Sequence, residues 1–182
     1  MIVAVAAPIA LLAFYFLLTG VNKDLDFAAK ERQGVTFLRQ ANLALSLMGQ
    51  YQLASATHNL EEQNRTARRL DEVFKEIHST VNTLGDRLEL DSAGLVRRGR
   101  GNLEMATILK DWQKLKQLSG GANLVERQEK QNQIFGKLGA MISHVGDTSN
   151  LILDPDLDTY YLMSNVVLTL PALQAKLVEV GQ

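Results

Sequence analysis

The sequence predicts an all-α protein in which an N-terminal transmembrane helix continues into an up-down helical bundle of about four to five helices. The first 22 residues carry no charge and are mostly apolar. Later segments place apolar residues at steps of three and four, which is the spacing of amphipathic helices. Leu, Ala, Gln, Glu, Lys and Arg dominate the composition, and no segment has the alternating pattern of a strand.

The apolar run at the N-terminus extends from Met1 to Asn22, and the first charged residue is Lys23. At about 1.5 Å per residue, the run is long enough to cross a hydrocarbon core of about 30 Å. The alternatives are a cleaved signal peptide and a buried core helix. Nothing basic precedes the run, and no Ala-x-Ala site follows Leu18. We therefore expect residues 1–22 to be an uncleaved span, whose orientation the charges do not specify.

Helices are expected over most of the remaining chain. The first, over residues 23–57, has no turn signal separating it from the span. Others are expected over residues 102–118, 122–152 and 157–180, and a loop rich in Gly and Arg over 91–101. The second helix has an unbroken heptad seam, typical of helices packed at a shallow angle: Ala67, Leu70, Phe74, Ile77, Val81, Leu84 and Leu88.

The helix count bears on the domain organisation. We divide the chain into the span at 1–22 and an extracytoplasmic bundle at 23–182. Successive antiparallel helices leave and return to the membrane, so a fifth helix would end far from it. Either helices four and five form one broken rod, or the domain is truncated at its C-terminus, as we expect. The loop arginines would lie near membrane lipid: Arg97, Arg98 and Arg100.

Composition and spacing exclude several kinds of chemistry. The net charge is −1, which gives no overall attraction to nucleic acid, and there is no Cys for disulfide or thiolate chemistry. The histidines lie on three different segments without metal-ligand spacing: His58, His78 and His144. No arrangement of catalytic residues is present. We therefore expect no enzyme activity, no cofactor and no nucleic-acid partner.

An acidic segment near residue 155 has part of the spacing of a calcium loop. Asp154, Asp156 and Asp158 match its positions one, three and five. Its sixth position is Thr159 rather than Gly, and its twelfth is Asn165 rather than Glu. Capping of the following helix explains the aspartates better, because they can accept hydrogen bonds from its free N–H groups. We therefore expect no metal site.

Two segments carry a family resemblance. One is ERQGVTFL, from Glu31 to Leu38, and the more specific one is DTSNLILDPDLDTYYLM, from Asp147 to Met163, followed by Pro171. They resemble the extracytoplasmic helical sensor domains of bacterial methyl-accepting chemotaxis proteins and related membrane histidine kinases. The resemblance implies a sensory ligand-binding region of an inner-membrane receptor, with its soluble part in the periplasm. It leaves open the output module, whether chemotaxis, kinase or cyclic-dinucleotide enzyme.

Candidate ligand-binding residues follow from spacing and from this resemblance. Arg32 and Arg39 are one heptad apart and share a helix face, where Arg can grip a carboxylate through two bonds. The resemblance implies that a small organic or amino-acid anion binds between the protomers of a homodimer. Tyr160 and Tyr161 would supply hydroxyl donors. The simpler interpretation is a solvated arginine face and tyrosines that fill the core.

Two functions of different classes remain open. The first is the sensory region of a receptor, in which ligand binding shifts one membrane-connected helix against another. The alternative is a membrane-anchored dimerising helical scaffold that senses no ligand. The heptad of the second helix suits either one. The mixed apolar faces of the other helices favour a folded bundle over a two-stranded rod.

Overall fold

The computed structural model describes residues 2–118 and 124–151, and every regular element in those ranges is helical. The α-helices are α1 (Ile2–Ala56), α2 (Leu60–Leu84), α3 (Ser92–Arg97), α4 (Met105–Gln117) and α5 (Leu124–Thr148). A 3-10 turn, Gly101–Leu103, lies between α3 and α4. The all-α prediction is confirmed. The helix predicted over 157–180 lies outside the described residues, as do Tyr160 and Tyr161.

The four long helices form an antiparallel bundle. Helix α1 packs against α2 and α5, and α4 packs against the same two helices. Arg87, just beyond α2, pairs with Asp26 of α1 at 3.6 Å. The end of α5 also lies near this level, with Ser149 beside Gly34. We call this the proximal end, and the hairpin between α1 and α2 marks the distal end.

The apolar seam of α2 is buried as the sequence predicts. Leu70, Phe74 and Ile77 are fully buried, and Leu88 is fully buried although it lies beyond the end of the helix. Trp112 of α4 is also fully buried, and its ring centroid is 5.8 Å from that of Phe74. The matching core positions of α1 and α5 are Phe37, Leu45, Met48, Tyr51, Ile134, Leu138, Met141, Ile142 and Val145. Burial of these side chains is the main force holding the four helices together.

The segment predicted as a loop over 91–101 contains helix α3, which corrects that prediction. The Asp91 side chain accepts a hydrogen bond from the Gly94 amide at 3.2 Å, so Asp91 is an N-cap. Leu95 is fully buried and fixes the turn against the bundle. Gly99, with φ at +65°, lies just past the helix, in a conformation that suits glycine. One cap and one buried leucine thus suffice for a six-residue helix in a glycine-rich segment.

Helix α1 is continuous from the apolar run into the bundle, as the missing turn signal predicts. It contains 55 residues and is about 82 Å long. Phe14, Tyr15, Phe16 and Leu17 are all at least 60% exposed. In the described part of the chain, no helix is both long and apolar enough to cross a membrane. The span expected over residues 1–22 stays a prediction.

Candidate functional site

The two candidate arginines lie on the outer surface of α1. Arg32 and Arg39 are both exposed, and seven residues of helix place them about 10 Å apart along one face. Within the described residues, neither guanidinium forms an ion pair. The structure therefore brings these two together on an open surface, whereas Tyr160 and Tyr161 lie outside the described residues.

A close helix contact lies at Gly34, two residues beyond Arg32 and on the buried side of α1. A Cβ placed on Gly34 would collide with the Ser149 side chain and would press on the Leu151 side chain. Ser149 is fully buried, and its hydroxyl donates to the Val145 carbonyl at 2.5 Å. Glycine at position 34 thus allows the end of α5 to lie directly on α1. The two segments that carry the family resemblance meet at this contact.

Beside this contact, side chains at the end of α5 form hydrogen bonds with the backbone of the segment that follows α2. The Thr148 hydroxyl donates to the Leu88 carbonyl at 2.9 Å, and the His144 ring nitrogen Nε2 bonds the Glu89 carbonyl at 2.9 Å. Glu89 has a left-handed backbone, with φ at +53°, which costs about 1–2 kcal/mol for a residue with a Cβ. These side-chain bonds from α5 stabilise that unusual turn.

Two ion pairs cross the same region. Arg98 binds the Glu89 carboxylate through two bonds, at 2.8 and 3.1 Å, and Arg100 bonds Asp147 at 3.2 Å. The hydrogen bond from Arg98 lowers the pKa of Glu89, and the same bond raises the pKa of Arg98. Two of the three arginines expected near lipid are thus paired within the protein.

His144 is the titratable group at the centre of this region. It is fully buried, and burial lowers its pKa below 6.5, although the Glu89 carbonyl opposes the shift. The charges of Arg100 and Arg98 lower the pKa further. The neutral ring donates from Nε2, so Nδ1 is an acceptor, and it is buried without a partner. His144 is therefore a neutral structural residue at neutral pH.

The lowered pKa of His144 predicts a pH dependence of stability. The unfolded chain takes up a proton near pH 6.5 and the folded chain only at lower pH, so the unfolding free energy falls as pH drops below 6.5. We expect denaturant titrations between pH 7 and about pH 5 to show this decrease. The His144→Gln variant should show a smaller decrease. An equal pH dependence in both proteins would contradict the assignment.

A cavity of about 390 Å³ lies between the end of α2 and the starts of α3 and α4. Its lining includes three carboxylates, Asp86, Asp91 and Glu104, and neither Lys nor Arg. A lining of this charge does not suit the anion expected at Arg32 and Arg39. In the described residues, no group of three or more His, Asp or Glu side chains is placed to hold a metal ion.

Several residues of the proximal end escape prediction from the sequence. His144 gives no signal, because a lone histidine is most often an ordinary surface or core residue. Thr148 and Ser149 lie in the segment that carries the resemblance, but nothing in that segment indicates their partners. No family model, no curated protein and no solved structure matches the chain. The contacts between its own residues therefore carry the functional inference.

Proposed function

We propose that the chain is the sensory ligand-binding region of a bacterial transmembrane signalling receptor, either a chemoreceptor or a sensor kinase. Residues 1–22 anchor it in the inner membrane, and the bundle lies in the periplasm. The observation that carries the proposal is the continuity of α1, which joins the apolar run to the bundle core in one helix of 55 residues. A helix of this kind transmits a displacement of the bundle to the membrane.

The contact at Gly34 supports this mechanism. It lies 12 positions beyond Asn22, and it packs the end of α5 directly on the helix that leads to the apolar run. A close contact with only the small Ser149 side chain against the Gly34 backbone has little room for gradual adjustment, so the two helices shift as packed units. A ligand that alters how α5 sits on α1 therefore moves the N-terminal part of α1.

Membrane anchoring is tested first. We expect the full chain, expressed in bacteria, to sediment with membranes and to resist extraction at alkaline pH, because 22 uncharged residues cross the hydrocarbon core. A matched variant with Leu11→Lys and Leu17→Lys should lose this retention. Recovery of a soluble form that begins near residue 20 would establish a signal peptide instead.

The proposed ligand is a small organic or amino-acid anion held by Arg32 and Arg39. Both guanidiniums are exposed and without ion pairs in the described residues, so they are available to an anion without breaking an existing contact. Two copies of α1 packed side by side would bring four arginines together. Tyr160 and Tyr161 would complete the site with hydroxyl donors. A pair of arginines can bind carboxylates through parallel hydrogen bonds.

A thermal-shift screen of amino acids and organic acids tests this site. A ligand that binds only the folded protein raises its melting temperature. At a ligand concentration 100 times the dissociation constant, the free energy of unfolding increases by about 2.7 kcal/mol. We expect the Arg32→Ala, Arg39→Ala double variant to lose that rise. The control is Arg68→Ala with Arg69→Ala, two exposed arginines of α2, which should keep it. Equal anion binding by both double variants would remove Arg32 and Arg39 from the site.

A second candidate function is a membrane-anchored scaffold that dimerises without sensing a ligand. Between Arg39 and Glu61 the chain has no Asp, Glu, Lys or Arg, so the outer face of α1 is uncharged there. Leu43 and Leu53 on that face are 42% and 65% exposed. An uncharged face with exposed leucines suits packing against a second copy. A stable dimer in sedimentation together with no stabilising ligand in the screen would favour the scaffold.

A further inference from the structure

The buried side chains of the bundle change from apolar to polar towards its distal end. Through most of their length, the buried seams of α1, α2 and α5 are apolar. In the distal part the same seams continue with amide and hydroxyl side chains, each less than 10% exposed: Gln52, Ser55, Gln63, Thr66 and Gln131. We call these five residues the distal polar layer. They occupy core positions and not the solvated faces of their helices.

The members of the layer lie within about two helical turns of one another along the bundle. Trp112 fixes the level, because its ring lies 5.1 Å from that of Tyr51 and its Nε1 donates to Asp71 at 2.7 Å. Its neighbour Asp111 bonds Lys137 at 2.6 Å. Counted along each helix from these contacts at about 1.5 Å per residue, the layer lies within roughly 2–12 Å of that level on its distal side.

Most of the layer lacks hydrogen-bond partners. Among the described residues, the buried Nε2 atoms of Gln52, Gln63 and Gln131 and the buried Oγ of Ser55 have no hydrogen-bond partner. Thr66 differs, because its hydroxyl donates to Glu62 at 3.3 Å. A buried amide without a partner loses its hydration and gains nothing in return, so native cores pair such groups with protein atoms, water or ligand. Four groups on three packed helices are thus buried polar atoms that water or a polar ligand would satisfy.

From this geometry we propose that the distal polar layer is a binding site for a small uncharged molecule rich in hydroxyl or amide groups. The five residues of the layer are uncharged, and the Glu62 carboxylate that accepts from Thr66 is already paired with Arg65, so the layer suits an uncharged ligand. Primary amides both donate and accept, and they match the paired donors and acceptors of a sugar or a carboxamide. Water fills the layer when the ligand is absent.

The inference rests on the proposed sensory function and goes beyond it, because it adds an uncharged ligand inside the bundle to the anion proposed at Arg32 and Arg39. A molecule held between α1, α2 and α5 changes the distance between these helices at the distal end. Gln52 and Gly34 are both on α1, about 27 Å apart along its axis. A displacement in the layer therefore reaches the Gly34 contact through one unbroken helix.

The test uses the purified full chain and four uncharged probes: D-ribose, D-glucose, myo-inositol and N-methylacetamide. We expect at least one probe, at millimolar concentration, to raise the melting temperature by roughly 4 °C. The Gln63→Leu, Gln131→Leu double variant should lose the rise, and it should melt higher than the native chain without a probe, because it buries no unpaired amide at these positions. The matched control is Gln113→Leu with Gln117→Leu, two exposed residues of α4, which should keep the rise.

A second measurement does not depend on the variants. In nuclear magnetic resonance spectra of the native chain, the side-chain amide signals of Gln52, Gln63 and Gln131 should move with the bound probe, and those of Gln113 should not. The proposal is overturned if every probe raises the melting temperature of the native chain no more than that of the Gln63→Leu, Gln131→Leu variant. The layer would then hold water only. Anion binding through Arg32 and Arg39 could then still hold. Conversely, loss of that anion site leaves the probe result unaffected.

Discussion

We expect the substitution Phe74→Asp to unfold the bundle or to leave it close to unfolding at room temperature. Phe74 is fully buried in α2, and its ring lies against Trp112. The aspartate would be buried without a cationic partner, and the aromatic contact would be lost. Asp71, one turn away on the same helix, adds like charge. The cost is on the order of 5 kcal/mol, a large part of the stability of a typical domain.

Chemical denaturation followed by circular dichroism measures this effect. The control is Lys75→Asp at the neighbouring position, which is exposed and introduces the same side chain into the same helix. Its unfolding free energy should remain within about 0.5 kcal/mol of that of the native chain, as is usual for surface positions. If Phe74→Asp melted at the same temperature as Lys75→Asp, residue 74 would have to face solvent, and the packing of α2 described above would be wrong.

The second large effect is expected at Gly34. The substitution Gly34→Ala adds one methyl group, which would collide with the side chain of Ser149. Because the Cβ of Ser149 is involved, no rotamer change relieves the overlap, and the end of α5 has to move away from α1. Overpacking of this kind typically costs about 1–3 kcal/mol. Alanine is also the better helix former by about 1 kcal/mol, which offsets part of the loss.

Two glycines of α5 provide the comparison. A Cβ at Gly136 or Gly139 would meet no atom of the described residues within 4 Å. Gly136→Ala and Gly139→Ala should therefore raise the unfolding free energy by up to about 1 kcal/mol through helix propensity alone. We expect the sign of the effect to differ between position 34 and these two positions in thermal and denaturant melts. A stabilising Gly34→Ala would show that α5 does not contact α1 closely there.

The parts of the fold that were predictable from the sequence have strong periodic patterns. The α2 seam is an example, because its apolar residues alternate at steps of three and four without interruption, and burial follows from that pattern alone. The continuity of α1 was predictable for a related reason, since an isolated Gly20 near Lys23, without Pro, does not end a long helical pattern. Helix α3 was missed because it is short and lies in a segment, residues 91–101, that is rich in Gly and Arg, and its stability comes from the Asp91 cap and from Leu95.

The distal polar layer shows why parts of a site escape prediction. Gln131 lies in a polar stretch that suggests a solvated face, and only the tertiary packing turns it inward. Gln52 lies one turn beyond the buried Met48 on α1, but an amide at one core position does not reveal that buried amides also occupy core positions of two other helices nearby. The contact of Gly34 with Ser149 was likewise beyond prediction, because it joins two distant segments.

The position of the Gly34 contact has a consequence for the order of folding. Helices α1 and α2 are joined by only three residues, 57–59, so their hairpin closes early and at small entropic cost. Gly34 and Ser149 are separated by 115 positions, and bringing them together closes most of the described chain into a loop. We therefore expect the docking of α5 to come late in folding, where contacts slow unfolding more than they speed folding. We therefore expect the contact at Gly34 to lower the unfolding rate of the bundle, and so to set how long the folded bundle persists.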